Sequence, residues 1–231
     1  MMRHRHTAVS RPGPGRRRSG TSAVLLAATA VLCGYAEASR AVGPGEEGSP
    51  SVETPQETFE PMTETISLEE FDATGSDTWQ SIDDVVMGGV SGSRMGLTES
   101  GTGLFEGELS LANNGGFASV RRSVGPVDLS AHEGLALRVL GDGQRYRLRL
   151  RTDQRFDGVA WQADFPTTAG EWTRVVLPFP DFEPSYRGRR PPGAGPLDTA
   201  SICQVGLMIA DRQSGPFRLE IDWIRTQDEG R

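Results

Sequence analysis

Two adjacent carboxylates, Asp83 and Asp84, stand just before a glycine pair in Ile82-Asp-Asp-Val-Val-Met-Gly-Gly-Val-Ser91. Their oxygens could ligate Ca²⁺, or Asp84 could accept backbone amides of a tight turn. They cannot act as a glycosidase dyad, because neighbours on extended backbone point to opposite sides and cannot flank one bond. A second cluster, Asn113-Asn114-Gly115-Gly116 followed by Phe117, Ser119 and Arg121, could present amides and a cation to a sugar or peptide. The same Asn and Gly residues also suit the positive φ values of a hairpin turn. In a third, Arg145, Arg147, Arg149 and Arg151 alternate with Tyr146, Leu148 and Leu150, which lines guanidinium groups along one strand face about 6.5–7 Å apart. They either pair with Asp164, Glu220 or Asp222 on neighbouring strands, or join Gln162 as a polar face for a carboxylate-bearing or hydroxyl-rich ligand. The candidate ligand- or partner-binding residues are therefore Asp84, Asn114, Arg121, Arg149, Gln162 and, on the Pro/Gly-rich loop 181–197, Arg187.

Other chemistry is thinly represented. All 24 basic residues are arginine, so Schiff-base chemistry, a P-loop lysine and a lysine general base are excluded. Of three histidines, His4 and His6 lie in an Arg-rich N-terminus, leaving His132, expected at the surface; Cys33 and Cys203 divide the same way, with Cys203 read as a small buried hydrophobe. Multi-histidine metal sites and disulfides in a processed chain are not available. Trp161 and Trp223 fall on the apolar faces of their strands and are expected in the core, while Trp79, beside the Asp83 turn, is the aromatic to watch. A non-enzymatic binding protein with no cofactor and no metal is expected.

These residues need strands to position them. Period-2 alternation recurs over 134–140, 144–151, 158–165 and Phe217–Trp223, with further candidates at 66–71, 93–99, 103–111, 116–122, 172–177 and 203–210. Turn residues separate them, at Gly101-Thr-Gly103, Gly141-Asp-Gly143 and Pro191-Pro-Gly193 among others. About ten short strands without intervening helices predict an all-β fold, an antiparallel β-sandwich of the jelly-roll kind.

The N-terminus has a different character. Six arginines without an acid precede an 11-residue apolar run, Ala23–Cys33, and then Ala36-Glu37-Ala38. The run is too short to span a bilayer, and the three parts match a secretory signal peptide over 1–38, with a mitochondrial or plastid transit peptide as the rival. Losing six arginines and Glu37 takes the net charge from −7 to −12, which disfavours nucleic acid and anionic membrane surfaces as partners. A Pro/Glu/Ser-rich acidic linker is expected over 39–66, one domain over 67–226 and a short tail over 227–231.

The segments Ile82–Ser91, Leu111–Arg121, Gly141–Arg151, Leu177–Gly188, Gly206–Asp211 and Gly215–Ile224 resemble, in order and content, the complex I intermediate-associated protein 30 family. The resemblance implies a galactose-binding-like β-sandwich and a chaperone-like role in assembling respiratory complex I. An exported domain departs from the mitochondrial pattern. The expected function is thus protein binding in assembly of the NADH:ubiquinone oxidoreductase, with a respiratory-complex or cell-envelope protein as partner. The alternative is a secreted carbohydrate- or small-ligand-binding module. For the latter an exposed aromatic beside polar groups is required, and for the former an exposed apolar patch.

Overall fold

The computed structural model describes residues 64–71 and 78–228. The leader expected over 1–38 and most of the linker expected over 39–66 lie outside the described residues. Alternating apolar and polar side chains give each strand one buried face, and twelve strands form among the described residues: β1 Ser67–Glu70, β2 Gln80–Ser81, β3 Gly92–Leu97, β4 Gly103–Leu109, β5 Ala118–Val127, β6 Gly134–Leu140, β7 Arg145–Arg151, β8 Ala160–Pro166, β9 Trp172–Pro178, β10 Glu183–Ser185, β11 Ile202–Ile209 and β12 Gly215–Gln227. The first sheet runs β3-β4-β12-β6-β9, with β1 also paired to β12; the second runs β10-β8-β7-β11-β5-β2. All strand pairs are antiparallel. The fold is the expected all-β sandwich. Short β2 and β10 are additions, the latter lying inside the loop 181–197 that was expected to be irregular.

Between the sheets Phe105 and Phe217 pack at 5.0 Å, and Tyr146 lies 6.2 Å from both Phe105 and Phe165. The Tyr146 hydroxyl donates to Asp142 Oδ2 at 3.0 Å, so the buried ring keeps its polar tip satisfied. Burial, with the Asp142 carboxylate beside it, pushes the phenol far above its ordinary range. Cys203 is buried, as expected.

Several local expectations are corrected. A register shift between Ile221 and Trp223 in the β12–β6 pairing flips the alternation, so Ile224 enters the core and Trp223 leaves it, lying 4.8 Å from the Arg225 guanidinium. Trp79, by contrast, is buried, stacked 6.1 Å from Phe71, and donates its indole N–H to Glu69 at 2.9 Å. His132 is buried rather than at the surface, its Nδ1 3.0 Å from Asp228. Asn113, Asn114 and Gly116 do adopt positive φ, at 54°, 61° and 140°. They do not close a hairpin: β4 belongs to the first sheet and β5 to the second, so the segment is a corner between sheets. Glu220 and Asp222 likewise sit on β12 in the first sheet, bonded to Arg218 and Arg138, and not to the arginine row of β7.

Candidate functional site

Two surfaces gather the candidate residues. At one end, the loop from β2 to β3 makes a 3₁₀ turn over Asp84–Met87, and the β4–β5 corner makes another over Ala112–Asn114. Asp84 ties them together. It is fully buried; its Oδ1 accepts from Ser91 N (2.9 Å), and its Oδ2 from Ser91 Oγ (2.6 Å), Gly116 N (2.7 Å) and Phe117 N (3.4 Å). Burial raises its pKa, but the Ser91 hydroxyl and the Gly116, Ser91 and Phe117 amides more than offset this and hold the carboxyl below its usual range. Asp83 is similarly spent on Ser93 N, Ser93 Oγ and Ser119 N. Asp84 thus accepts backbone amides, but those of Ser91, Gly116 and Phe117 rather than those of the turn before Gly88-Gly89, and Asp83 accepts amides of β3 and β5.

This latch displays an apolar tip. Val85, Val86, Met87 and Val90 are 56–64% exposed and Leu111 43%. Gly89 and Gly115 press so closely on Asp84 that a Cβ on either would lie 2.2–2.4 Å from its oxygens. Asn114 is exposed on the same corner.

The second surface is the outer face of the second sheet. Gln80, Arg121, Gly206, Arg149, Gln162 and Glu183 are successive partners across β2, β5, β11, β7, β8 and β10. Three predicted residues, Arg121, Arg149 and Gln162, therefore share one transverse row. Gly206 is its low point. A Cβ there would lie 2.8 Å from the Val120 carbonyl, so only glycine fits between the two arginines. The loop 152–159 is pinned over one end of the face, with Gln204 Nε2 donating to Asp153 O (2.6 Å) and Arg155 O (3.2 Å). Arg121 Nη1 donates to Phe156 O (3.1 Å), and its guanidinium lies 5.2 Å from the Phe156 ring, which is 66% exposed. Arg187 bonds Asp157 on the same loop at 2.7 Å, and Tyr186 bonds it at 3.1 Å.

The arginines divide sharply. Arg147 pairs with Asp164 (2.7 Å), as expected, and with Asp211 (2.6 Å); Arg145 reaches only 4.0 Å from Asp211. Arg121, Arg149 and Arg151 make no ion pair among the described residues, and the buried Arg149 Nε and Arg151 Nη1 have no hydrogen-bond partner. Burial, aggravated by Arg151 and Arg121, pushes Arg149 down to about 10; burial and Arg151 do the same to Arg121. Both stay cationic at neutral pH. On the first sheet, an open depression of about 750 Å³ is lined by Arg94, Glu106 and Arg218, but there the guanidiniums are paired with Glu106 and Glu220.

Three of these features escaped the residue-by-residue reading. Val85-Val86-Met87 is an apolar run inside an Asp/Gly loop, and Phe156 an aromatic between Arg155 and Asp157; both were legible signals. Gln80 stands on a two-residue strand that leaves no periodic trace.

A family model described as complex I intermediate-associated protein 30 matches residues 69–221. The mitochondrial protein of that name from Mus musculus is 38% identical over 101 residues, 42% of this chain and 31% of that protein. Its Drosophila melanogaster counterpart is 27% identical over 171 residues, 64% of this chain and 57% of that protein. The chain thus spans about a third to just over half of these relatives. Among solved structures, a family 11 carbohydrate-binding module from Clostridium thermocellum, in complex with a β-1,3-1,4-mixed-linked tetrasaccharide, is similar with a TM-score of 0.53 and 19% identity, over 71% of this chain and 95% of that one. That likeness shows a shared fold.

Proposed function

We propose, from the premise that the chain belongs to the complex I intermediate-associated protein 30 family, that its sandwich is a non-enzymatic domain that engages a protein partner. The observation that carries this reading is the tip of Val85, Val86, Met87, Val90 and Leu111, five exposed apolar side chains on two loops joined by one buried carboxylate. Water disfavours such a cluster, and a partner would remove it from water. Because Asp84 fixes both loops beforehand, little ordering entropy remains to oppose binding. The partner we propose is a subunit or assembly intermediate of the NADH:ubiquinone oxidoreductase, in line with the relatives' names, and the role is chaperone-like. Among the described residues no helix is long and apolar enough to cross a membrane.

For location, the basic leader and its Ala36-Glu37-Ala38 end favour transfer out of the cytosol. The relatives named as mitochondrial favour the organellar form of that transfer over export.

Affinity capture of the chain from its own cells tests the function. Recovery of oxidoreductase subunits by the natural chain, and their loss with Val86→Glu, is the expected result; equal recovery by both overturns it.

A second reading, a carbohydrate- or small-ligand-binding module, draws on the outer face of the second sheet. There Arg149 and Arg151 keep buried donors without partners, and polar groups stand beside the exposed Phe156.

A further inference from the structure

Proteins seldom hold half-buried guanidinium groups together without an acid between them, since each loses hydration and repels the others. On the second sheet Arg121, Arg149 and Arg151 do this. The positions that could neutralise them from adjacent strands are occupied by Gln80, Gly206, Gln204 and Gln162. Gly206 leaves a slot between Arg121 and Arg149, two strand spacings apart, or about 9.6 Å between backbones. Neither the Gln80 nor the Gln162 side chain makes a hydrogen bond within the described residues, so both amides are open on the face. Asp153 and Asp157 act on Arg121 and Arg151 through space without bonding either.

Charge and geometry together select the ligand. Asp153 and Asp157 are already paired with Arg155 and Arg187, so the charge of the three guanidiniums is left uncompensated and calls for an anion. Planar guanidinium forks carried on the strands either side of Gly206 suit a flat carboxylate. Open amides on both flanks suit hydroxyls, and the exposed Phe156 ring suits the C–H face of a pyranose. The row from Gln80 to Gln162 spans about 19 Å, longer than one sugar ring, so an oligomer would be held better than a monomer.

We infer that the outer face of the second sheet binds an acidic oligosaccharide, with the carboxylate of a uronic acid unit held by Arg121 and Arg149 over Gly206 and neighbouring hydroxyls held by Gln80 and Gln162. This inference rests on the ligand-binding reading and is independent of the apolar tip. An acidic peptide would offer the carboxylate but no ring hydroxyls for the two amides.

Titration calorimetry on the folded chain tests it, using galacturonate and mannuronate trimers, their neutral methyl esters, inorganic phosphate and a Glu-rich hexapeptide as probes. The expected result is that at least one uronate trimer binds at least ten-fold more tightly than its ester, phosphate or the peptide, with affinity falling as salt rises. Arg149→Gln and Arg121→Gln should each lose at least ten-fold, while Arg145→Gln, farther along β7, should bind as the natural chain does. A melting curve for each variant shows that it is folded. Equal binding of trimer and ester would overturn the inference and leave the ligand-binding reading standing. Tighter binding of phosphate or the peptide, or unchanged uronate binding in both arginine variants, would also overturn it. No binding of any sugar would remove both.

Discussion

Asp84 holds Ser91 at both of its donors: Ser91 N bonds Oδ1 at 2.9 Å and Ser91 Oγ bonds Oδ2 at 2.6 Å. The same Oδ2 takes the Gly116 amide at 2.7 Å, so one buried carboxylate joins the loop that carries Val85–Val90 to the corner that carries Leu111. The apolar tip is a consequence of this latch.

Asp84→Ala should therefore destabilise the domain by about 3 kcal/mol, the order expected when a buried, multiply bonded carboxylate is removed and its donors are left unpaired. Urea unfolding followed by tryptophan fluorescence measures the change. Asp84→Asn keeps one acceptor oxygen and should cost less.

The latch also sets an acid limit. Asp84 has a lowered folded-state pKa, because the Ser91 hydroxyl and three amides outweigh the opposing effect of burial. Its contribution is fully present above the unfolded carboxyl value of about 3.9 and is lost as pH falls through the lower folded value. Stability of the natural chain should fall below about pH 4, and this part of the slope should be absent in Asp84→Asn. Melting temperatures from pH 7 to pH 2 provide the comparison; parallel profiles would refute the assignment.

Gly206→Ala places a Cβ 2.8 Å from the Val120 carbonyl in the middle of the second sheet. Strand β5 or β11 must shift to relieve it, at a cost of about 1–3 kcal/mol by the usual scale of overpacking. Gly96→Ala, on β3 with no atom near its added Cβ, is the comparison that should cost less in the same unfolding assay.

The leader makes a separate prediction. Organellar transfer should remove the basic leader with all six N-terminal arginines. The intact mass of the chain recovered from its own cells should therefore fall short of the full 231 residues, and a mass of residues 39–231 would mark the secretory cleavage instead. A mass of all 231 residues would refute removal of the leader.

Much of the fold was legible because apolar alternation reports burial directly: Tyr146, Leu148 and Leu150 on β7 and Phe217, Leu219 and Ile221 on β12 all face the core. Alternation says which face a residue is on but not which sheet its strand joins. Hence Asp164 was a correct partner for Arg147, whereas Glu220 and Asp222 belonged to the other sheet. Trp223 was misplaced for a related reason, since a one-residue bulge inverts every face beyond it and has no signature in composition. The row Arg121–Arg149–Gln162 was visible only as separate residues. Register through β11, with Gly206 between the arginines, is what makes it a surface.

Crosslinking from within the tip tests partner binding most directly. A photoreactive residue placed at Val86 should form adducts with a subunit or assembly intermediate of the NADH:ubiquinone oxidoreductase in the chain's own cells. The same group at Val176, an exposed apolar position on β9 of the first sheet, should form none. No adduct from position 86, or the same adducts from both positions, would contradict a docking surface built on the Asp84 latch.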